Sequence, residues 1–98
     1  MKKVIVIGAG VAGLSTAIFL QKAGFDVHLY EKNDHVGGLC SGYYVKGHYI
    51  DHCIHWLMGT HPTSEYYKLW SETGVFSDEV KMISLPTLGE FIYKGERI

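Results

Sequence analysis

Three glycines and one acid carry the strongest chemical signal in this sequence. Gly8-Ala9-Gly10-Val11-Ala12-Gly13 is a GxGxxG run, and Glu31 stands 18 residues beyond its last glycine. Each position has a physical task in holding a dinucleotide. Gly8 permits a tight turn out of a strand, Gly10 removes a Cβ so that a pyrophosphate can reach the backbone, and Gly13 lets a helix pack close to the strands. The first N–H groups of that helix are unpaired and lie at its positive dipole end, which suits a phosphate. Glu31 is placed to accept hydrogen bonds from a ribose diol, and its charge would repel a 2′-phosphate. The pattern predicts a bound dinucleotide.

A second concentration of reactive side chains lies further along. His48, His52, Cys53, His55 and His61, with Cys40 and Asp51 nearby, suggest a metal cluster. On an extended chain Asp51, Cys53 and His55 share one face, and His48 and His52 the other. With only two cysteines and no CxxC pair, the set reads as a polar loop close to a cofactor, and no metal is expected. A Cys53–His55 nucleophile–base pair does not follow from closeness in sequence. No catalytic acid or base is assigned.

The elements that must position these residues follow from periodicity. Val4 to Ile7 is a continuous β-branched run, as in a parallel strand buried on both faces. A helix follows from Val11 to Ala23 with Leu14, Ala17, Ile18 and Gln21 on one face, and Gly24 stops it. Asp26 to Tyr30 is the next strand, which completes a βαβ unit. Tyr43 to Asp51 reads as two short strands turning at Lys46-Gly47. Pro62 sits where a first helical turn would start, and the helix from Thr63 to Thr73 carries Tyr66, Leu69, Trp70 and Thr73 on one face until Gly74. That face reads as packing. Val80 to Ser84 reads as a strand, and Glu90 to Tyr93 with Glu96 to Ile98 as a hairpin around Lys94-Gly95.

The run from Val4 through Glu31-Lys32, with Gly37-Gly38 beyond it, resembles the FAD-binding start of flavin oxidoreductases. Ala17, Leu20, Gly24 and Val27 are further matching positions. The diglycine is what NAD-binding units of simple dehydrogenases usually lack, and in the resembled family its backbone runs along the FAD pyrophosphate. Leu39-Cys40-Ser41, Gly47-His48-Tyr49-Ile50-Asp51, His55-Trp56 and Gly59 are similar to phytoene desaturase-like and amine oxidase-like flavoproteins. Two departures stand out: Leu39 where that subgroup often has Arg or Lys, and His52-Cys53-Ile54 where it usually has glycine. The resemblance implies FAD as cofactor, held by Gly8, Ala9, Gly10, Val11, Ala12, Gly13, Glu31, Lys32, Gly37, Gly38 and Leu39. It also implies hydride transfer from an apolar polyene or an amine to the flavin, with His55 and Trp56 near the ring, or alternatively packed away from it. For a polyene it implies peripheral membrane contact of the whole protein. Glu31 to Gly38 also resembles UDP-galactopyranose mutase, a non-redox isomerase. A third reading is a nucleotide-binding fragment without turnover.

Composition bounds these readings. The chain has 98 residues, 47% apolar and 19% charged, which is globular and too apolar for disorder. A net charge of −1 excludes a binder that relies on neutralising nucleic-acid phosphates. Glycine is in excess at 12 residues, and seven of them precede residue 43, so the excess belongs to the dinucleotide motif. The two cysteines suggest a reducing, cytoplasmic setting. Met1-Lys2-Lys3 before an apolar run imitates a signal peptide, but glycines interrupt that run. No apolar run approaches the ~20 residues that span a bilayer. The length suffices for one small core. The expected class is α/β: an N-terminal βαβ of a Rossmann-like FAD-binding domain, then short strands, a helix and the start of an antiparallel substrate-domain sheet. Residues 1–60 would belong to the cofactor domain, and 61–98 would lead into a substrate domain. Two-domain flavoenzymes run to about 400–500 residues, so catalysis by these 98 residues alone is not expected.

Overall fold

A computed structural model describes residues 1–51, 53, 56–87 and 89–97. The expectations placed on His52, Ile54, His55 and Ile98 lie outside the described residues. The chain opens with β1 (Lys3–Ile7), α1 (Val11–Lys22) and β2 (Asp26–Tyr30). β1 and β2 pair in parallel, from Lys3 opposite Asp26 to Ile7 opposite Tyr30. The backbone extends the ladder at both ends: Asp26 N–H donates to the Lys2 carbonyl at 3.0 Å, and Gly8 N–H to the Tyr30 carbonyl at 2.7 Å. This is the predicted α/β arrangement, a βαβ unit followed by further strands and a helix.

α1 covers one face of the pair. Val4, Val6, Val27 and Leu29 alternate onto that face and are half-buried, as are Leu14, Ala17 and Ile18 on the helix. Gln21, placed on the same face by periodicity, is exposed, and Leu20 takes the inner position instead. The opposite face is open: Ile5 is 65% and Ile7 87% exposed, beside His28 and Tyr30. β1 is therefore not buried on both faces. An unbroken β-branched run marks a strand that favours burial, but the layer that would cover its second face is not among the described residues.

The core is correspondingly small. Among the described residues only Ala9 is a fully buried hydrophobic, at 1% exposure. The Cα radius of gyration is 17.7 Å, against about 13 Å for a compact domain of this length. The expectation of one sufficient core is thus corrected. The chain has the apolar content for a core, but it spreads that content over separate two-stranded sheets.

β3 (Gly42–Val45) and β4 (His48–Asp51) form an antiparallel hairpin around Lys46-Gly47, both with positive φ, the twist-matched turn for a two-residue loop. α2 spans Tyr67–Thr73 and ends at Gly74, whose φ of 81° is the left-handed stop expected of it. It starts one turn later than the predicted Thr63. The His61 carbonyl accepts the Ser64 N–H, the Ser64 carbonyl accepts the Tyr67 N–H, and His61 Nδ1 meets Thr63 Oγ1 at 2.8 Å. These local bonds give the backbone a turn in place of a helix. The face of α2 bearing Tyr66, Leu69, Trp70 and Thr73 lines a 210 Å³ cavity shared with Ser15 and Phe19 of α1. Lys22 Nζ also donates to the Glu72 carbonyl across the two helices. The predicted strand at Val80 to Ser84 is not formed, and among the described residues no strand pairs with it. β5 (Ile92–Tyr93) and β6 (Glu96–Arg97) form the predicted hairpin at Lys94-Gly95, shorter than expected. Among the described residues, no helix is long and apolar enough to cross a membrane.

Candidate functional site

The site is built where β1 ends. Gly8 leaves the strand with φ +97°, a conformation that a side-chain-bearing residue rarely adopts. Ala9 turns inward, and its two backbone groups bind two different segments: its N–H donates to Glu31 Oε2 at 2.7 Å, and its carbonyl accepts the Gly37 N–H at 2.8 Å. Gly10 is the N-cap of α1, with extended backbone and no side-chain acceptor, and the first turn holds no acid. The positive end of α1 is therefore left uncapped by the chain's own side chains, which is the condition for receiving an external anion.

Gly13 sits one turn into α1, against the strand exit. A Cβ there would lie 1.8 Å from the Gly8 carbonyl oxygen. The glycine is thus needed for the close helix–strand approach that the motif predicts. The diglycine closes the other side. Gly37 (φ +110°) forms a parallel bridge with Gly10, and Gly38 (φ +59°) faces it so closely that a Cβ on Gly38 would meet Gly10 Cα at 3.1 Å. Cys40 N–H donates to the Gly37 carbonyl at 3.0 Å and Ser41 Oγ to the Gly38 carbonyl at 2.9 Å, so the loop is held from its far side.

Of the residues the sequence marks for a cofactor, the structure brings Gly8, Ala9, Gly10, Gly13, Glu31, Gly37 and Gly38 together. Val11 and Ala12 lie exposed on the first turn of α1. Lys32 and Leu39 are also exposed, Leu39 at 81%. Trp56 is half exposed on the wall of a 360 Å³ cavity with Leu57, Met58, Ile83 and Leu85, and so is not a core residue.

Asn33 is a residue the sequence reading missed. Its backbone N–H and its Nδ2 both donate to Glu31 Oε1, each at 2.9 Å. Glu31 therefore ties the glycine loop to the segment after β2, one oxygen to each. The signal available in the sequence was a short amide side chain two positions beyond the acid, where it can turn back on the carboxylate.

These bonds set the charge of Glu31. The Ala9 N–H, followed by the Asn33 N–H, holds its carboxyl below the ordinary value of 4.5. A group whose folded-state pKa is depressed contributes stability above its unfolded pKa, and that contribution is lost as pH falls through the folded value. We therefore expect Glu31→Gln to be less stable than the parent at neutral pH, because one oxygen becomes a donor facing a donor. The difference should shrink once pH falls below about 4.5. Thermal melts of both proteins across that range measure it, and a pH-independent difference would contradict it.

The comparisons with known proteins agree with this geometry. The NAD(P)-binding Rossmann-like domain family matches residues 6–73. A phytoene desaturase of Fusarium fujikuroi is 60% identical over 50 residues, covering 51% of this chain and 9% of its own length. A 4,4'-diaponeurosporene oxygenase of Staphylococcus haemolyticus is 48% identical over 50 residues, covering 51% of this chain and 10% of its own. A hydroxysqualene dehydroxylase of Rhodopseudomonas palustris is 40% identical over 82 residues, 80% of this chain and 20% of its own. The chain thus spans a fifth or less of the length of these three relatives. The matched span runs from the end of β1 through the glycine turn, α1, β2 and Glu31, and the chain belongs to the NAD(P)-binding Rossmann-like domain family.

Proposed function

We propose that this chain is the FAD-binding segment of a flavin-dependent oxidoreductase resembling phytoene desaturases. One observation carries the reading: the diglycine backbone packs against Gly10 at the uncapped N-terminus of α1. A lone GxGxxG turn offers one wall to a pyrophosphate, whereas here Gly10 and Gly38 present two facing backbones without side chains. The residues fit an FAD pyrophosphate on that ground, since the two glycine backbones meet with no side chain to screen the uncapped helix end beside them. Glu31 Oε2 accepts one hydrogen bond from Ala9 and keeps a lone pair for a ribose hydroxyl. Gly8, Ala9, Val11, Ala12 and Gly13 would shape the turn and the helix end. Lys32 and Leu39 would lie along the adenosine side and the diglycine exit.

When bound, FAD supplies the hydride chemistry, and the protein supplies binding and orientation. Within this chain the uncapped helix end would offset phosphate charge, and Glu31 would orient the ribose. The relatives' names favour an apolar isoprenoid polyene as substrate over an amine, since phytoene, diaponeurosporene and hydroxysqualene are all long isoprenoid chains. A polyene substrate would bring the whole protein into peripheral contact with a membrane. The open face of Ile5 and Ile7 suits a cofactor domain whose sheet is completed by further sequence, with residues 61–98 leading toward a substrate domain.

The deciding measurement is the absorption spectrum of the purified full-length protein. A band near ~450 nm, released with FAD on denaturation, is the expected result. A colourless protein that binds NAD(H) but not added FAD would overturn the reading. Turnover of a UDP-galactopyranose substrate with FAD bound would keep the cofactor and replace oxidoreduction with isomerisation.

A further inference from the structure

The two cysteines lie 13 residues apart and show no sequence motif, yet they flank the two ends of one hairpin. β3 and β4 pair Gly42 with Asp51, Tyr43 with Ile50, Tyr44 with Tyr49 and Val45 with His48. Cys40 stands two residues before Gly42 and Cys53 two after Asp51, so both lie at the open end of that ladder. The type of pair also follows. A two-residue loop with positive φ at Lys46 and Gly47 makes Val45 and His48 the hydrogen-bonded pair at the turn. Pair types alternate along an antiparallel ladder, so Tyr44/Tyr49 and Gly42/Asp51 are of the closer, non-hydrogen-bonded type. The edge-on Tyr44 and Tyr49 rings, 5.1 Å between centroids, fit that assignment. If the ladder is continued by two residues on each strand, Cys40 and Cys53 take the same class, in which facing Cα atoms stand about 4.5 Å apart. That lies inside the roughly 4.4–6.8 Å a disulfide requires.

The side chains agree with the register. Burial, followed by the nearby Cys53 thiol and Asp51, pushes the Cys40 thiol up from its ordinary value, so the two cysteines are near neighbours. Both sulfurs are free thiols; Cys40 is half-buried and Cys53 is exposed. One sulfur is thus open to a reagent in solution, and the other waits behind it.

We propose that Cys40 and Cys53 form a reversible thiol–disulfide modification site that staples the open end of the β3–β4 hairpin to the diglycine loop. The oxidant is a low-molecular-weight disulfide of the glutathione class. The Cys53 thiolate attacks one of its sulfurs, forming a mixed disulfide and releasing one thiol. The Cys40 thiolate then attacks the Cys53 sulfur and releases the second. Two protein S–H bonds are replaced by one S–S bond, the external disulfide is reduced to two thiols, and these take up both protons. The consequence reaches the glycine site because Cys40 N–H is bonded to the Gly37 carbonyl, and Gly37 N–H to the Ala9 carbonyl. This relay is present with both thiols free, and oxidation would add a covalent anchor at its far end. The covalent step stands independently of which nucleotide the site holds.

Peptide mapping of the full-length protein tests this directly. Trypsin cleaves after Lys32, Lys46 and Lys68, which places Cys40 in peptide 33–46 and Cys53 in peptide 47–68. After native protein is treated with oxidised glutathione and alkylated, these two peptides are expected as one cross-linked species that reductant separates. Cys40→Ser should stop at a glutathione adduct on Cys53, because the displacing sulfur is gone. The same treatment in concentrated urea should lose the cross-link, since the register that pairs the thiols is gone. Full alkylation of both cysteines at every oxidant level would overturn the proposal. So would stable, separate adducts on both cysteines, or a cross-link to a different cysteine.

Discussion

Gly13→Ala is expected to destroy the folded glycine loop. A Cβ on residue 13 would stand 1.8 Å from the Gly8 carbonyl oxygen and 3.0 Å from its carbon. Both are backbone atoms, so no side chain can swing aside to relieve the contact. Relief requires α1 to lift from β1 or the Gly8 peptide to turn. A turned Gly8 peptide breaks the bond from Gly8 N–H to the Tyr30 carbonyl and carries Ala9 away from Glu31. The cost belongs at the upper end of overpacking, about 3 kcal/mol or more. A loss of that size lowers the melting temperature of a mid-sized domain by about 6 °C or more. Gly24→Ala is the control: its φ of +86° strains a side chain, but the added Cβ meets nothing within 4 Å. That variant should lose only about 1–2 kcal/mol. Melting or soluble yield of the two full-length variants checks the ordering. A Gly13→Ala protein as stable as Gly24→Ala would refute the close helix–strand packing.

The contrast between these glycines marks what the sequence makes legible. The βαβ unit was readable because its determinants are local: a β-branched run, glycines at the turn and the stop, and alternation in the second strand. The start of α2 was not, because His61, Thr63 and Ser64 bond to one another and to the backbone, and so compete with the first helical turn that Pro62 announces. Burial of Ile5 and Ile7 was not legible either. Whether a strand face is covered depends on what packs over it, and residue type records only the preference.

The candidate site divides along the same line. Spacing alone singled out Gly8, Gly10, Gly13, Glu31 and the diglycine, and the structure gathers them. Spacing could not tell that Glu31 already spends an oxygen on the Ala9 N–H, or that Asn33 occupies the other. It also left Cys40 and Cys53 unrelated, because their places at the open end of one hairpin follow from a turn at Lys46-Gly47. Contacts within one element can be read from residue types, whereas contacts between elements appear only once a turn fixes the register.

Gly10→Ala should separate binding from folding, which Gly13→Ala does not. Gly10 has φ −77° and ψ 179°, extended backbone open to any residue. Its added Cβ would meet Gly38 Cα at 3.9 Å, an ordinary van der Waals contact. The cofactor-free protein is therefore expected to melt within about 2 °C of the parent, the range of a surface substitution. That same Cβ points toward the diglycine, at the helix end where the proposed pyrophosphate must touch backbone. A methyl group there displaces the phosphate from its N–H donors. That cost, about 1–3 kcal/mol, weakens binding by about five- to 150-fold. FAD titration of the cofactor-stripped full-length protein, with a melt of the same sample, reads both quantities. Unchanged affinity would remove the Gly10–Gly38 cradle from the nucleotide site. A melt as depressed as that of Gly13→Ala would instead mean that Gly10 serves packing, and that the loop's glycines share one structural task.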